Sequence, residues 1–156
     1  MKSKKWLPYI LFLLITLAVG GLSAIFVMKG MPAYEELAKP PLTPPSILFP
    51  IAWSILYVLM GIGAARVWIA SPRDRRNAIT IYGVQLIINF LWSLWFFTLQ
   101  LRLFAFFWLL LMIAAIILMI RAFYKLDRPA AYLQIPYLLW SVFAAYLNFG
   151  VWLLNR

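Results

Sequence analysis

The sequence predicts an all-α membrane protein: a five-transmembrane-helix bundle with a proline-rich lid loop between helices 1 and 2. Three observations predict it. Of the 156 residues, 66% are hydrophobic and only 12% are charged, and the mean hydropathy is +0.93. Soluble chains are nearer to about half apolar and about a quarter charged, and a soluble domain of this size has too little interior to hide such a surface. The apolar residues also fall into five stretches, each near the ~20 residues that a helix needs to cross a bilayer. Finally, no ionisable residue lies at the centre of any stretch.

The first span is predicted over residues 6–27. Its basic start, Lys2, Lys4 and Lys5, before an apolar run resembles a signal peptide. The run is longer than a signal core and no Ala-x-Ala site comes after it, so it reads as a retained helix. The connection over residues 28–45 holds Pro32, Pro40, Pro41, Pro44 and Pro45, and both Glu35 and Glu36. Proline fixes φ, removes a donor and keeps the preceding residue out of a helix. The second half of this loop, KPPLTPP, therefore reads as a stiff, non-helical lid, and long loops of this kind often cover binding sites. The plain alternative is a spacer that only sets the angle into the second span. That span is predicted over residues 46–69, the third over 78–100, the fourth over 103–124 and the fifth over 130–153. Leu101 and Arg102 alone separate the third from the fourth, which makes an antiparallel hairpin. Pro136, inside the fifth, predicts a kink. Residues 1–156 form one transmembrane domain without an internal repeat, which counts against a transporter built from repeated halves.

Absent residue types exclude several chemistries. Without His or Cys there is no His/Cys zinc site, no haem held by His or thiolate, no thiol catalysis and no disulfide. No metal site is predicted. Glu35, Glu36, Asp74 and Asp127 are the only acidic residues, and they make no conventional catalytic constellation. The net charge of +10 reads as loop charge facing anionic headgroups, so no nucleic-acid partner is expected. Its placement is asymmetric. The N-terminal side carries Lys2, Lys4, Lys5, Arg66, Arg73, Arg75, Arg76, Arg121, Lys125 and Arg128; the other side carries Lys29, Lys39, Arg102 and Arg156. The positive-inside rule then predicts a cytoplasmic N-terminus and an outside C-terminus; a bacterial cell membrane is the expected location, though charge does not decide it.

The spans contain neutral polar groups instead of charges, and helical spacing sorts them into stripes. Gln85, Asn89, Trp92 and Phe96 share one face of the third span. Trp53, Tyr57 and Met60 or Gly61 share a face of the second. Pro136, Trp140, Ala144 and Leu147 or Asn148 share a face of the fifth. A cavity between these faces has flat aromatic walls, few hydrogen-bonding groups and no charge, which suits a large, planar, mostly apolar ligand. The competing reading is packing; it applies to Trp92, Trp95 and Trp108, and spacing alone leaves it open for Trp53 and Trp140 as well. Trp6, Tyr9, Trp68, Tyr124, Tyr132 and Trp152 lie near span ends and read as interfacial belt residues. Gly20-x-x-x-Ala24 and Gly61-x-x-x-Ala65 permit close helix contact, within the bundle or in a dimer.

Together these residues resemble the translocator protein family, which comprises the tryptophan-rich sensory proteins of bacteria and the mitochondrial peripheral benzodiazepine receptor. The string Tyr34-x-x-Leu37-x-Lys39-Pro40-x-x-x-Pro44-Pro45 is similar to the family's first loop. Trp53-x-x-x-Tyr57-x-x-Met60-Gly61-x-Gly63 resembles its second helix, and Asn89-x-x-Trp92 before Phe96-Phe97 its third. Pro136-Tyr137-Leu138-x-Trp140, Leu147-Asn148 and Val151-Trp152 resemble its fifth. The resemblance implies a homodimeric five-helix bundle whose first loop closes over a pocket for porphyrins such as protoporphyrin IX, isoquinoline carboxamides and benzodiazepines. It implies pocket residues Tyr34, Pro44, Trp53, Tyr57, Asn89, Trp92, Trp140, Ala144 and Leu147. Two departures stand out. Leu42 and Thr43 occupy the place of an aromatic residue between the loop prolines, and Phe149 occupies the tyrosine position of the family's cholesterol motif.

The sequence supports three readings of function. The first is a receptor or sensor for a tetrapyrrole, with Trp53, Trp92 and Trp140 stacking on the macrocycle. Asn89 and Tyr57 would offer hydrogen bonds, and Lys39 would pair with propionates. No resident cofactor is required, and metal-free porphyrin is favoured over axially ligated haem. The second is light-dependent oxidative degradation of bound porphyrin, an activity that the resemblance links to bacterial members, with Trp53 and Trp140 as candidate redox partners. The third is transport of porphyrin or lipid.

Overall fold

The computed structural model describes residues 4–156, so Lys2 lies outside the described residues. The helices are α1 (Trp6–Glu35), α2 (Leu48–Ala70), α3 (Arg75–Ser93), α4 (Arg102–Leu126), α5 (Arg128–Tyr132) and α6 (Ile135–Leu154). A single π-helical turn, Leu94–Thr98, continues α3. Counting α3 with its π turn and α5 with α6, the described residues hold five helical spans long and apolar enough to cross a membrane. The chain is an all-helical integral membrane protein. Its outer faces present aliphatic residues: Leu14, Ile55, Ile87, Leu118 and Leu139 are each more than half exposed. In hydrocarbon that exposure costs nothing.

α1 packs on α2 and α3, α4 packs on α3 and α6, and α2 meets the fifth span through α5. Small residues set the α1–α2 contact. A side chain at Gly61 would lie 3.1 Å from Leu13 Cα, and one at Gly20 would lie 2.6 Å from the Tyr57 ring. Both glycines of the small-xxx-small pairs therefore serve packing within the bundle.

The first span differs most from expectation. α1 runs to Glu35, so the loop shrinks from residues 28–45 to residues 36–47, and Pro32 stands inside the helix. Proline costs a helix one hydrogen bond and some strain, but tertiary contacts hold these turns in place. Gly30 lies directly against the Phe97 backbone, where no side chain fits. Thr98 Oγ1 donates to the Phe26 carbonyl at 3.2 Å. Tyr34 is buried among Phe49, Phe96 and Phe97. The Lys39 ammonium then closes the helix end, donating to the Glu35 and Leu37 carbonyls at 2.9 and 3.1 Å.

The remaining loop is non-helical across KPPLTPP and is fastened to α6. The Asn155 side chain accepts from Ala38 N–H at 3.0 Å and donates to the Ala38 carbonyl at 2.8 Å. Tyr146 donates to the Pro41 carbonyl at 2.7 Å, and Pro40 is buried against Gly150. Leu42, at φ 71°, forms the exposed tip.

Two other boundaries move for proline and turn reasons. Pro136 does not kink a continuous helix. The fifth span breaks at Leu133–Gln134, and Pro136 sits in the first turn of α6, where its missing N–H has no intrahelical partner to lose. Asp127 caps α5 by accepting from Ala130 N–H at 3.2 Å and pairs with Arg66 at 2.7 Å. Between the third and fourth spans, the turn falls at Leu99–Leu101, with Gln100 in the left-handed region at φ 57°; Arg102 already belongs to α4.

Candidate ligand-binding cavity

The polar stripes of α2, α3 and α6 face one another beneath the loop. They enclose a cavity of about 640 Å³, within the usual range of small-molecule sites. α2 contributes Phe49, Trp53 and Tyr57, α3 contributes Asn89 and Trp92, and α6 contributes Trp140, Ala144, Leu147 and Asn148. The π turn adds Phe96 and Phe97. A π turn places one extra residue in the helix and rotates the residues beyond it; here it carries both rings to the wall. Among the described residues, no charged side chain lines the cavity. The wall therefore offers stacking surfaces and neutral hydrogen bonds, with no nitrogen or thiolate ligand for a metal.

Trp53 is the hub of the aromatic surface. Its ring centroid lies 5.8 Å from Tyr57, 6.3 Å from Trp92 and 6.2 Å from Tyr137. Trp92 in turn stacks on Phe96 at 5.3 Å, and Trp140 meets Phe49 edge-on at 6.1 Å. Trp53 and Trp140 are half-buried, whereas Trp92 is buried.

Polar groups at this depth must find partners, because hydrocarbon offers none. Tyr57 O–H donates to Asn89 Oδ1 at 2.7 Å, and Asn89 Nδ2 donates to the Tyr137 hydroxyl at 2.9 Å. Tyr137 O–H donates to Gln85 Oε1 at 2.8 Å, and Gln85 Nε2 donates to the Tyr82 carbonyl at 3.0 Å. A second link joins Trp92 Nε1 to Asn148 Oδ1 at 3.1 Å and Asn148 Nδ2 to the Arg102 carbonyl at 2.8 Å. Tyr57 and Asn89 thus spend much of their hydrogen-bonding capacity on the floor of the cavity. Two wall residues hold buried polar atoms without a protein partner: Ser23 Oγ and Trp140 Nε1.

This arrangement has known relatives. Residues 12–153 match the family model described as the TspO/MBR family. The chain belongs to the TspO/MBR family. It is 36% identical over 160 residues to the tryptophan-rich protein TspO of Chlorobaculum tepidum, covering 98% of this chain and 99% of that one. It is 37% identical over 122 residues to the tryptophan-rich sensory protein of Cereibacter sphaeroides, covering 78% and 76%. The translocator protein of Ovis aries is 32% identical over 155 residues, covering 97% and 92%.

Within this TspO/MBR chain, Tyr34, Trp53, Tyr57, Asn89, Trp92, Trp140, Ala144 and Leu147 all line the one cavity. Pro44 does not: the loop turns Ser46 and Ile47 to the cavity instead. Nor is Lys39 in the wall; its ammonium caps α1 and lies 5.1 Å from the Tyr34 ring centroid. Trp108 donates to the Ile88 carbonyl at 2.8 Å and packs edge-on against Trp95, as core residues do. Apart from Tyr34, the wall contributed by α1, including Ser23, Ala24, Val27 and Met31, carries no aromatic or amide residue to mark it. Its signal was the cluster of small residues from Gly20 to Ala24, which leaves room beside the helix. Met28 and Ile47 line the cavity and are 71% and 69% exposed, so its mouth lies between α1 and the start of α2.

Proposed function

We propose that this TspO/MBR protein is a membrane receptor for a planar tetrapyrrole, with metal-free protoporphyrin IX as the test ligand. The observation that carries this reading is the uncharged, aromatic cavity of about 640 Å³ under a fastened loop. Its flat walls suit a macrocycle, and its mouth beside exposed apolar residues suits a ligand that arrives through the bilayer. Trp53, Trp92 and Trp140 are assigned to stacking. Ser23 and Trp140 are assigned as hydrogen-bond donors, since their polar atoms have no protein partner. Isoquinoline carboxamides and benzodiazepines compete for the same space. The protein works as a homodimer in a bacterial cell membrane, with its N-terminus in the cytoplasm.

Titration with protoporphyrin IX, followed by tryptophan fluorescence, tests the reading. Wild type should quench saturably, and the Trp53→Phe, Trp140→Phe double variant should bind at least about tenfold more weakly, from the loss of two stacking and polar contacts. Equal affinity of the two proteins would remove the stacking model.

The aromatic hub favours one further reading, light-dependent oxidative breakdown of bound porphyrin. Trp53 has three aromatic neighbours within 6.3 Å, a spacing suited to moving an electron away from an excited ligand. A product formed only with light and oxygen, and formed more slowly by Trp140→Phe, is the expected signature.

A further inference from the structure

A second cavity, of about 370 Å³, lies at the loop end of the bundle between the α3–α4 turn and the end of α6. Gln100, Leu101, Arg102, Phe104, Trp152 and Arg156 are among its lining residues. Two of the four cations assigned to this side of the chain therefore converge on one small site. Among the described residues, the only ion pair is Arg66–Asp127, so neither Arg102 nor Arg156 has a carboxylate partner.

Arg102 is held in an unusual electrostatic position. Its Nε is buried and makes no hydrogen bond, a costly state for a guanidinium donor. It is also the first residue of α4, whose first turn contains no acidic residue. The positive end of a 25-residue helix thus adds to the guanidinium charge, a combination that repels unless an anion is present. The two cations sit 5.7 Å from aromatic rings, Arg102 over Phe96 and Arg156 over Trp152. Those rings orient the guanidinium groups but accept no directed hydrogen bond in place of an oxyanion. Guanidinium forks match phosphate oxygens, and the turn before α4 and the end of α6 bound spans of membrane-crossing length, a position expected near lipid headgroups. Leu101, Leu103, Phe104 and Trp152 supply apolar surface beside the charge.

We propose that this cavity binds a phosphate group between Arg102 and Arg156, carried by a phospholipid headgroup or present as free phosphate.

The test uses the full chain, stripped of lipid in phosphate-free detergent, with the melting temperature as readout. Inorganic phosphate, short-chain phosphatidylglycerol and the phosphate-free dioctanoylglycerol are titrated in parallel. Phosphatidylglycerol or inorganic phosphate should raise the melting temperature of wild type, and which of them does so identifies the source. Arg102→Gln should raise the half-saturating concentration by about tenfold, the scale of a lost charge-assisted contact, and Arg102→Lys should recover part of it. If Arg102→Gln fails to fold, Arg156→Gln serves the same comparison, with a loss of about threefold from a more exposed partner. A response to dioctanoylglycerol equal to that to phosphatidylglycerol would overturn the proposal. So would identical curves for wild type and the folded variants.

Discussion

Asn89 accepts from Tyr57 and donates to Tyr137, and all three side chains are buried. Removing the amide strands the Tyr57 hydroxyl in a medium that offers no replacement, and leaves the Tyr137 hydroxyl with Gln85 alone. Asn89→Leu should therefore destabilise the bundle by about 1–2 kcal/mol, the scale of interhelical hydrogen bonds in membranes, measured by the midpoint of denaturant unfolding in micelles. A variant as stable as wild type would show that this chain of hydrogen bonds contributes nothing net. Ser23 has the opposite character, because its Oγ is buried, lines the cavity and has no protein partner. Ser23→Ala should leave stability unchanged and weaken protoporphyrin binding about fivefold, near 1 kcal/mol, as read by equilibrium titration. Unaltered affinity would mean that the ligand makes no bond there. Asn89 was legible as a functional candidate because an amide inside an apolar span demands a partner. Ser23 was not, because a serine on a helix can satisfy itself on its own backbone and leaves no mark in the pattern.

At the scale of elements, the loop over residues 36–47 matters through its attachment rather than its prolines alone. Asn155 holds Ala38 by two hydrogen bonds, and Pro40 packs where Gly150 leaves space. Asn155→Ala should free the loop and speed release of bound protoporphyrin about tenfold, from two lost bonds of about 0.5–1 kcal/mol each. Stopped-flow dissociation measures it, and an unchanged rate would show that the loop does not gate the cavity. The spans were legible because five runs of apolar residues leave few alternatives. Their ends were less so. Pro32 signalled a break that contacts from Gly30, Tyr34 and Thr98 override, since local propensity cannot report a tertiary contact. The π turn at Leu94–Thr98 has no sequence signature at all, yet it positions Phe96 and Phe97 in the wall.

For the whole molecule, charge and composition decide placement in the membrane. The excess of basic residues on the N-terminal side sets the proposed orientation. Because the chain has no cysteine, a single Lys5→Cys or Arg156→Cys substitution gives an unambiguous label site. An impermeant maleimide should label Arg156→Cys on intact cells and Lys5→Cys only after lysis; the reverse pattern would invert the topology. The cavity itself was legible from three helices, because their stripes mix tryptophan with polar or small residues. Of the fourth wall, from α1, only Tyr34 was marked in the sequence, through the resemblance; the rest came with the fold. The central claim is that this cavity, and not the outer apolar surface, takes the tetrapyrrole. Ala144 lies in the wall and is buried, so a phenylalanine there fills the space without touching the lipid-facing side. The most direct measurement is protoporphyrin IX binding to wild type and Ala144→Phe in the same detergent. Saturable binding by wild type and a loss of at least about a hundredfold in the filled variant, near 3 kcal/mol, is the expected result. Equal binding by both would place the porphyrin elsewhere and contradict the account.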